Sequence, residues 1–359
     1  MSLRSLRVEN VRNIERADLV LSSGINIFEG PNGSGKTSLL EAVHVLGTGK
    51  SFRTSNAARI IKEGATCCTV FGVTEHEGRA QNIGIQRERD SCAIRINGVD
   101  EKRISALAAA LPVMAVTQTS SRLLEEGPQW RRKFMDWGLF HVEQSFFPVW
   151  SEFTRLLKHR NALLQTGRIS QELNSWDQGL VPRVEQITLA RREFLAKLEP
   201  LVREYAQLLL PRWLSGLELH LRAGWPEQVP FAEALAGHRV KDLSVGHTEY
   251  GAHRADMVVR VNGRDVKDRL SRGQQKLLIF AFLLAQVRFL SDNAKKDTVL
   301  LLDDAGAELD AEHAGLLLDL LGSHATQLLI TTATLNSFPT QIPVTASLFH
   351  VEHGAIRPH

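Results

Sequence analysis

The stretch INIFEGPNGSGKTSLLEAVHVLG, Ile25–Gly47, decides the fold. A short apolar strand, INIFE, runs into a glycine-rich loop that satisfies G-x-x-x-x-G-K-[ST]. A segment with helical spacing and a closing glycine follows. Strand, loop and helix in this order form the context in which such a loop cradles phosphate, because turned-in backbone N–H groups and the helix N-terminus both favour an anion. Gly30, Pro31, Asn32, Gly33, Ser34, Gly35, Lys36, Thr37 and Ser38 are therefore candidate nucleotide contacts. Lys36 would reach the β- and γ-phosphates, and Thr37 would ligate Mg²⁺. ATP and Mg²⁺ are the expected cofactors. A plain glycine turn before an ordinary helix is the competing reading, and the correct flanks on both sides argue against it.

A metal held by a phosphate loop needs a carboxylate. TVLLLDD, Thr298–Asp304, is an apolar strand ending in two aspartates, and ligands gather at the carboxyl ends of parallel strands. Asp303 is expected to hold Mg²⁺ through water, and Asp304 to orient or deprotonate the attacking water. Alone, the stretch could equally be a strand closing in a solvated acidic turn.

Working outward, the first hundred residues alternate apolar and polar as strands do. Asn97-Gly98 and Asn262-Gly263 mark hairpins. From about Gln129 to Leu210 apolar residues recur at three- and four-residue steps, among them Phe146, Trp150 and Phe153, then Val184, Ile187, Phe194 and Leu198. Two such seams predict an antiparallel helical hairpin, with a loop at QTGRIS and a break around Gly179 and Pro182. The last third returns to alternating α/β. The expected fold is one composite α/β head, residues 1–128 with 230–359, carrying a phosphate-loop core, an antiparallel β subdomain and an inserted helical arm, residues 129–229.

The 359 residues carry a net charge of +3 and a sequence pI near 8.8, which permits a nucleic-acid partner without demanding one. Arg131, Arg132 and Lys133 form one basic cluster; Lys158 and Arg160 belong to a second, and Arg191 and Arg192 form a third. Each could meet DNA phosphates, but for each alone a solvated helix face or an internal ion pair is the plainer reading. Three cysteines make neither a disulfide framework nor a metal spacing. The N-terminus has no apolar core of a signal peptide, and the longest apolar run, Leu277–Val287, is too short to span a bilayer. A cytoplasmic protein with no membrane partner is expected.

LSRGQQK, Leu270–Lys276, opens a further helix with Ser271 placed as its N-cap. By itself that is a capped helix start. Its position after one phosphate loop and before one apolar strand ending in aspartate resembles the ABC-type ATPases, including the SMC-like DNA repair proteins. Arg272 stands where the usual signature has a second glycine. GPNGSGKTSLLEAVHVLGTGKSFRT, GPQWRRKFMD, HRNALL, GAHRADMVVRVNG, LSRGQQKLLIFAFLLAQ and LLLDDAGAELD are similar, in the same order, to blocks of the RecF family of recombination mediators.

That resemblance implies that Ser271, Gly273 and Gln274 cap the γ-phosphate held by a second copy, so that ATP drives a homodimer. It places Asp310 at the dimer crossing, Arg12 and Asn13 near the nucleotide, and Gln118 as a sensor of Mg²⁺, although TSS follows where the family commonly has a proline-acidic segment. It implies double-stranded DNA and single-strand/double-strand gap junctions as cargo. It also implies RecR and RecO as partners in loading RecA, a link to replication restart and SOS induction, and weak, DNA-stimulated, slow ATP hydrolysis. Thr332, where ABC transporters have histidine, is consistent with slow turnover. The competing class, an ATPase subunit of a membrane transporter, predicts a short chain between loop and signature together with that histidine.

Overall fold

A computed structural model describes residues 1–167, 171–211, 216–304, 311–322, 327–335 and 345–359. The chain forms two compact units, Met1–Ser120 with Leu290–His359, and Ser121–Phe289.

The first unit holds two six-stranded sheets. One contains β3 (Ile25–Glu29), β8 (Val113–Val116), β12 (Val299–Leu302), β13 (Gln327–Thr332), β14 (Ser347–Glu352) and β15 (Ala355–Pro358), in the order β15-β14-β3-β13-β12-β8. All are parallel except β15, which returns antiparallel beside β14. Every residue of β12 and β13 is buried. Burial on both faces is why VLLL and QLLITT read as continuous runs rather than alternations.

The other sheet is antiparallel. It orders β2 (Ile14–Val20), β1 (Ser2–Val11), β4 (Cys67–His76), β5 (Arg79–Glu88), β6 (Cys92–Ile96) and β7 (Val99–Glu101) as β2-β1-β4-β5-β6-β7. The Asn97-Gly98 turn joins β6 to β7, with Asn97 at φ 51. Helix α1 (Lys36–Thr48) contributes Leu39, Leu40, Val43 and Leu46 to one core with Leu3, Leu6 and Val8 of β1 and Leu301 and Leu329 of the parallel sheet. Gly49 ends α1 in a left-handed cap, and α2 (Ser105–Ala110) follows β7. Buried Gln327 ties the sheets together. Its side chain accepts the Leu3 N–H at 2.7 Å and donates to Leu3 O at 2.8 Å, acting as one rung of a strand. Helix α9 (Ala311–Gly322) lies between β12 and β13 in the chain.

The second unit carries α3 (Arg122–Glu125), α4 (Pro128–Val142), α5 (Phe146–Leu164), α6 (Gln171–Leu209), α7 (Phe231–Val245) and α8 (Arg272–Ala294), whose last turn runs past its boundary. A three-stranded antiparallel sheet, β9 (Leu217–Arg222), β10 (Asp256–Val261) and β11 (Arg264–Asp265), completes it, turning at Asn262-Gly263 as the sequence predicts. Helices α5 and α6 run antiparallel, since Arg160 meets Asp177 while Glu152 meets Arg183.

The expected break at Gly179 and Pro182 does not occur. Helix α6 continues through Pro182 and Pro200 for 39 residues, about 58 Å. A proline removes one N–H and crowds one carbonyl, and here buried Leu180, Val184 and Ile187 on either side keep the helix in place. Among the described residues, Arg272–Ala294 is the one helix long and apolar enough to cross a membrane. Its apolar window is 72% buried within the fold, as befits a core helix.

Candidate nucleotide site and signature helix

Between β3 and α1 the chain passes through Gly30, Gly33 and Gly35 at φ 157, 81 and 122. A β-carbon on Gly30 would lie 2.1 Å from Val351 O, and one on Gly35 would press the Asn13 amide at 3.2 Å. Only glycine lets the loop close here. The loop is also gripped from outside. Asn13 Nδ2 donates to Gly33 O at 3.2 Å, Ser38 Oγ donates to Asn13 Oδ1 at 2.8 Å, and Gly354 N–H donates to Ser34 O at 2.7 Å.

Lys36 Nζ lies across its own loop, donating to Gly30 O at 2.6 Å and Pro31 O at 3.0 Å. Burial pushes its ammonium below the usual range, opposed by the charges of Asp304 and Asp303. Thr37 Oγ1 donates to Asp303 Oδ1 at 2.9 Å, and Thr331 Oγ1 donates to the same oxygen at 2.9 Å. The Asp304 N–H in turn donates to Thr331 Oγ1 at 2.8 Å. The first turn of α1 and the carboxyl ends of β12 and β13 thus meet at one carboxylate. Burial raises the Asp303 pKa, against the two threonine hydrogen bonds. Asp304, partly buried, stands in the left-handed region at φ 59.

These residues fit a metal-bound nucleotide. Carboxylate and hydroxyl oxygens suit a hard cation such as Mg²⁺. Ser34 Oγ is buried with no protein hydrogen-bond partner, an orphan that a phosphate oxygen would satisfy.

The other sequence-predicted residues divide. Asn13 grips the loop, as described. Arg12 turns to α1, where Nε and Nη2 donate to the fully buried Glu41 at 2.9 and 2.8 Å. Its guanidinium is committed to bracing the helix. Gln118 follows β8, whose Val116 stands level with Leu302 and accepts the Asp303 N–H at 2.9 Å. The backbone therefore leaves the sheet at the carboxyl end where the aspartates sit. The Gln118 side chain and Asp310 lie outside the described residues. Glu41 and Thr331 were not singled out by the sequence, although a threonine pair closing an apolar strand was a signal for the second.

In the second unit, Ser271 and Gln274 cap α8 reciprocally. Gln274 N–H donates to Ser271 Oγ at 3.4 Å, and Ser271 N–H donates to Gln274 Oε1 at 2.9 Å, the capping-box arrangement. Gln275 turns inward and donates to Leu270 O at 2.9 Å. Ser271, Arg272 and Gly273 are exposed. The two glutamines of LSRGQQK thus have separate duties, one in the cap and one beneath it.

The basic clusters require correction. Arg131, Arg160 and Arg191 are 8%, 0% and 2% exposed. Arg131 forks onto Asp256, Arg191 onto Asp136, and Arg160 bridges Asp177 and Asp242. None of the three is available to a DNA phosphate in this fold. The physical reason is that an arginine interrupting an apolar helical seam is tolerated when a carboxylate meets it inside. Arg132, partly buried, donates to Ala255 O at 2.7 Å. Lys133, Lys158 and Arg192 remain exposed, Lys133 over the Trp130 ring at 4.5 Å.

Residues 2–357 match the RecF/RecN/SMC N terminal domain family. The DNA replication and repair protein RecF of Cellvibrio japonicus is 40% identical over 363 residues, spanning 99% of either chain. That of Hydrogenovibrio crunogenus is 37% identical over 351 residues, 98% of this chain and 97% of the relative. Among solved structures, the recombination mediator protein RecF-ATP of the RecFOR pathway superposes with a TM-score of 0.89 at 24% identity, covering 100% of this chain and 97% of that one. An SMC head bound to the C-winged helix domain of ScpA gives 0.59 at 15% identity, covering 100% and 97%. These likenesses show an SMC-like ABC-type ATPase head, and the chain belongs to the RecF family.

Proposed function

We propose that this chain is an ATP-switched DNA-binding protein of replication and recombinational repair, in which ATP pairs two copies and slow hydrolysis releases them. The observation that carries the reading is the Thr37–Asp303 hydrogen bond of 2.9 Å beside the glycine loop. It brings the two predicted metal-holding groups together at the mouth of a phosphate cradle. Names borne by close relatives, DNA replication and repair proteins RecF, supply the biological setting.

In this reading the loop N–H groups and Lys36 hold the β- and γ-phosphates. Lys36 Nζ exchanges its two carbonyl partners for phosphate oxygens. Thr37 and Asp303 would hold Mg²⁺, which when bound supplies charge neutralisation on the phosphates. Asp304 orients the attacking water and accepts its proton. Ser271 and Gly273, exposed at the N-terminus of α8, meet the partner's γ-phosphate, with Gln274 keeping the cap in shape and Asp310 at the crossing between copies. Each site is then completed only by dimerisation, so the γ-phosphate's binding energy becomes association energy.

The cargo we propose is duplex DNA and its gap junctions, gripped through backbone phosphates without base readout. Lys133, Lys158 and Arg192 are the arm's contribution. RecR and RecO as partners, RecA loading, SOS induction and a cytoplasmic setting rest on family membership alone. We retain the functional division into head (1–128 with 230–359) and inserted arm (129–229), because phosphate loop, signature and aspartates share one task. The long insertion before the signature and Thr332 in place of a histidine leave the transporter reading without support.

The test is equilibrium binding of a fluorescent ATP analogue and of a gapped duplex, each titrated with and without the other. Mutual tightening is expected. Independent affinities would contradict the coupling of nucleotide to DNA.

A further inference from the structure

We propose that Glu29, His350 and His359 form a divalent transition-metal site, of the class that takes Zn²⁺, against the strand that leads into the phosphate loop. Glu29 is the last residue of β3, and His350 lies level with it on β14. The β14–β15 hairpin folds the chain back so that His359 returns beside them. Glu29 Oε1 lies 2.9 Å from His359 Nε2 and 3.6 Å from His350 Nδ1. The ligand atoms of all three fall within 4.8 Å of one another. Two ligands of a tetrahedral Zn²⁺, each at about 2.0–2.1 Å, stand roughly 3.3 Å apart, and the two observed separations bracket that value.

The orientation also suits an ion. The imidazole planes stand 83° apart, so the two nitrogens approach the carboxylate from different directions instead of stacking. Glu29 Oε2 accepts the Leu335 N–H at 3.0 Å, which fixes the carboxylate with Oε1 turned to the histidines, as outer hydrogen bonds do at metal sites. Two imidazoles and a carboxylate make a borderline donor set that favours Zn²⁺ over Mg²⁺ or Ca²⁺. The side chains of Glu29, His350 and His359 are 18%, 43% and 41% exposed, so an ion enters directly from solvent with water as a further ligand.

A second cluster, His238, Asp242 and Glu249, has similar residue types but already holds positive charge. Lys241 Nζ lies 3.0 Å from Glu249, and Arg160 donates to Asp242 at 2.8 Å. A cation is repelled there. Among the described residues, the ion-pair partners of Glu29 are the two histidines, which become neutral ligands once deprotonated.

The consequence is local. The same hairpin places Val351 O 2.1 Å from where a Gly30 β-carbon would be and holds Ser34 O through Gly354 N–H. A metal pinning the end of β3 to β14 and β15 therefore stiffens the outer wall of the phosphate loop. The site itself stands whether or not the nucleotide reading does.

The experiment is titration of the full-length, nucleotide-free protein with Co²⁺, read by visible d–d absorption, followed by displacement with Zn²⁺. One equivalent should give a four-coordinate spectrum without sulfur-to-metal charge transfer, which sets Cys67, Cys68 and Cys92 aside. Removing a ligand in His350→Ala or in His359→Ala should weaken binding at least about tenfold, while His238→Ala should leave it unchanged. His359→Ala changes an exposed group and keeps the test usable if His350→Ala misfolds. Absence of stoichiometric binding, or a spectrum that survives His359→Ala, would overturn the site.

Discussion

Arg160 has no exposed surface, yet it holds three oxygens: Asp177 Oδ1 at 2.6 Å, Asp242 Oδ2 at 2.8 Å and Thr248 Oγ1 at 2.7 Å. Removing the guanidinium would leave the fully buried Asp242 with the Glu249 N–H but without its charged partner. Arg160→Met is expected to lower unfolding free energy by about 3–5 kcal/mol, measured by denaturant unfolding. Lys158, two residues away and exposed, should behave oppositely. Lys158→Gln should move stability by no more than about 0.5 kcal/mol and reduce the salt slope of DNA binding by about 1. At the nucleotide site, Lys36→Met should abolish ATP binding. Asp304→Asn should retain binding and slow turnover at least about a hundredfold, measured by single-turnover hydrolysis.

His253 gives the second unit a pH response. Burial pushes its imidazole from the ordinary 6.5 down to about 4, despite the bond to Thr248 O. The unfolded chain therefore takes up the proton first as pH falls. The stability contribution is complete above about pH 6.5 and is lost towards pH 4, a fall of up to about 3 kcal/mol. Burial shifts His44, in the other unit, in the same direction. His253→Gln should flatten the pH dependence of the second unit's unfolding midpoint, and an unchanged curve would remove His253 as its cause.

At the scale of elements, the Ser271–Gln274 box makes α8 both a core helix and a presented N-terminus. Ser271→Ala should cost about 1 kcal/mol of stability through the lost cap. Ser271→Arg should additionally stop ATP-dependent pairing while leaving nucleotide affinity intact, so comparing the two separates capping from recognition. What the sequence made legible is local chemistry. Asparagine-glycine turns and the strand–loop–helix order are dictated by neighbours in the chain, and the structure has them where expected. What it hid depends on distant partners. Gln327 as a rung for Leu3, Glu41 holding Arg12, and the aspartates that draw Arg131, Arg160 and Arg191 inside all lie far away in sequence or invisible to periodicity. Pro182 fails to end α6 for the same reason, since the packing that carries the helix past it is tertiary.

At the scale of the whole molecule, one chain carries a glycine loop with its carboxylates in one unit and the exposed, capped start of α8, the proposed signature, in the other. If a nucleotide binds between two copies as proposed, it stabilises the pair by mass action, as does any ligand that prefers the dimer to the separated chains. Sedimentation velocity of the purified chain in Mg²⁺ with ADP, then with ATP, tests this most directly when Ser271→Arg is run alongside. A monomer with ADP, a dimer with ATP that a gapped duplex reinforces, and a monomer throughout for Ser271→Arg are expected. An unchanged mass with ATP, or normal ATP-dependent pairing by Ser271→Arg, would contradict it and leave LSRGQQK as a capped helix start.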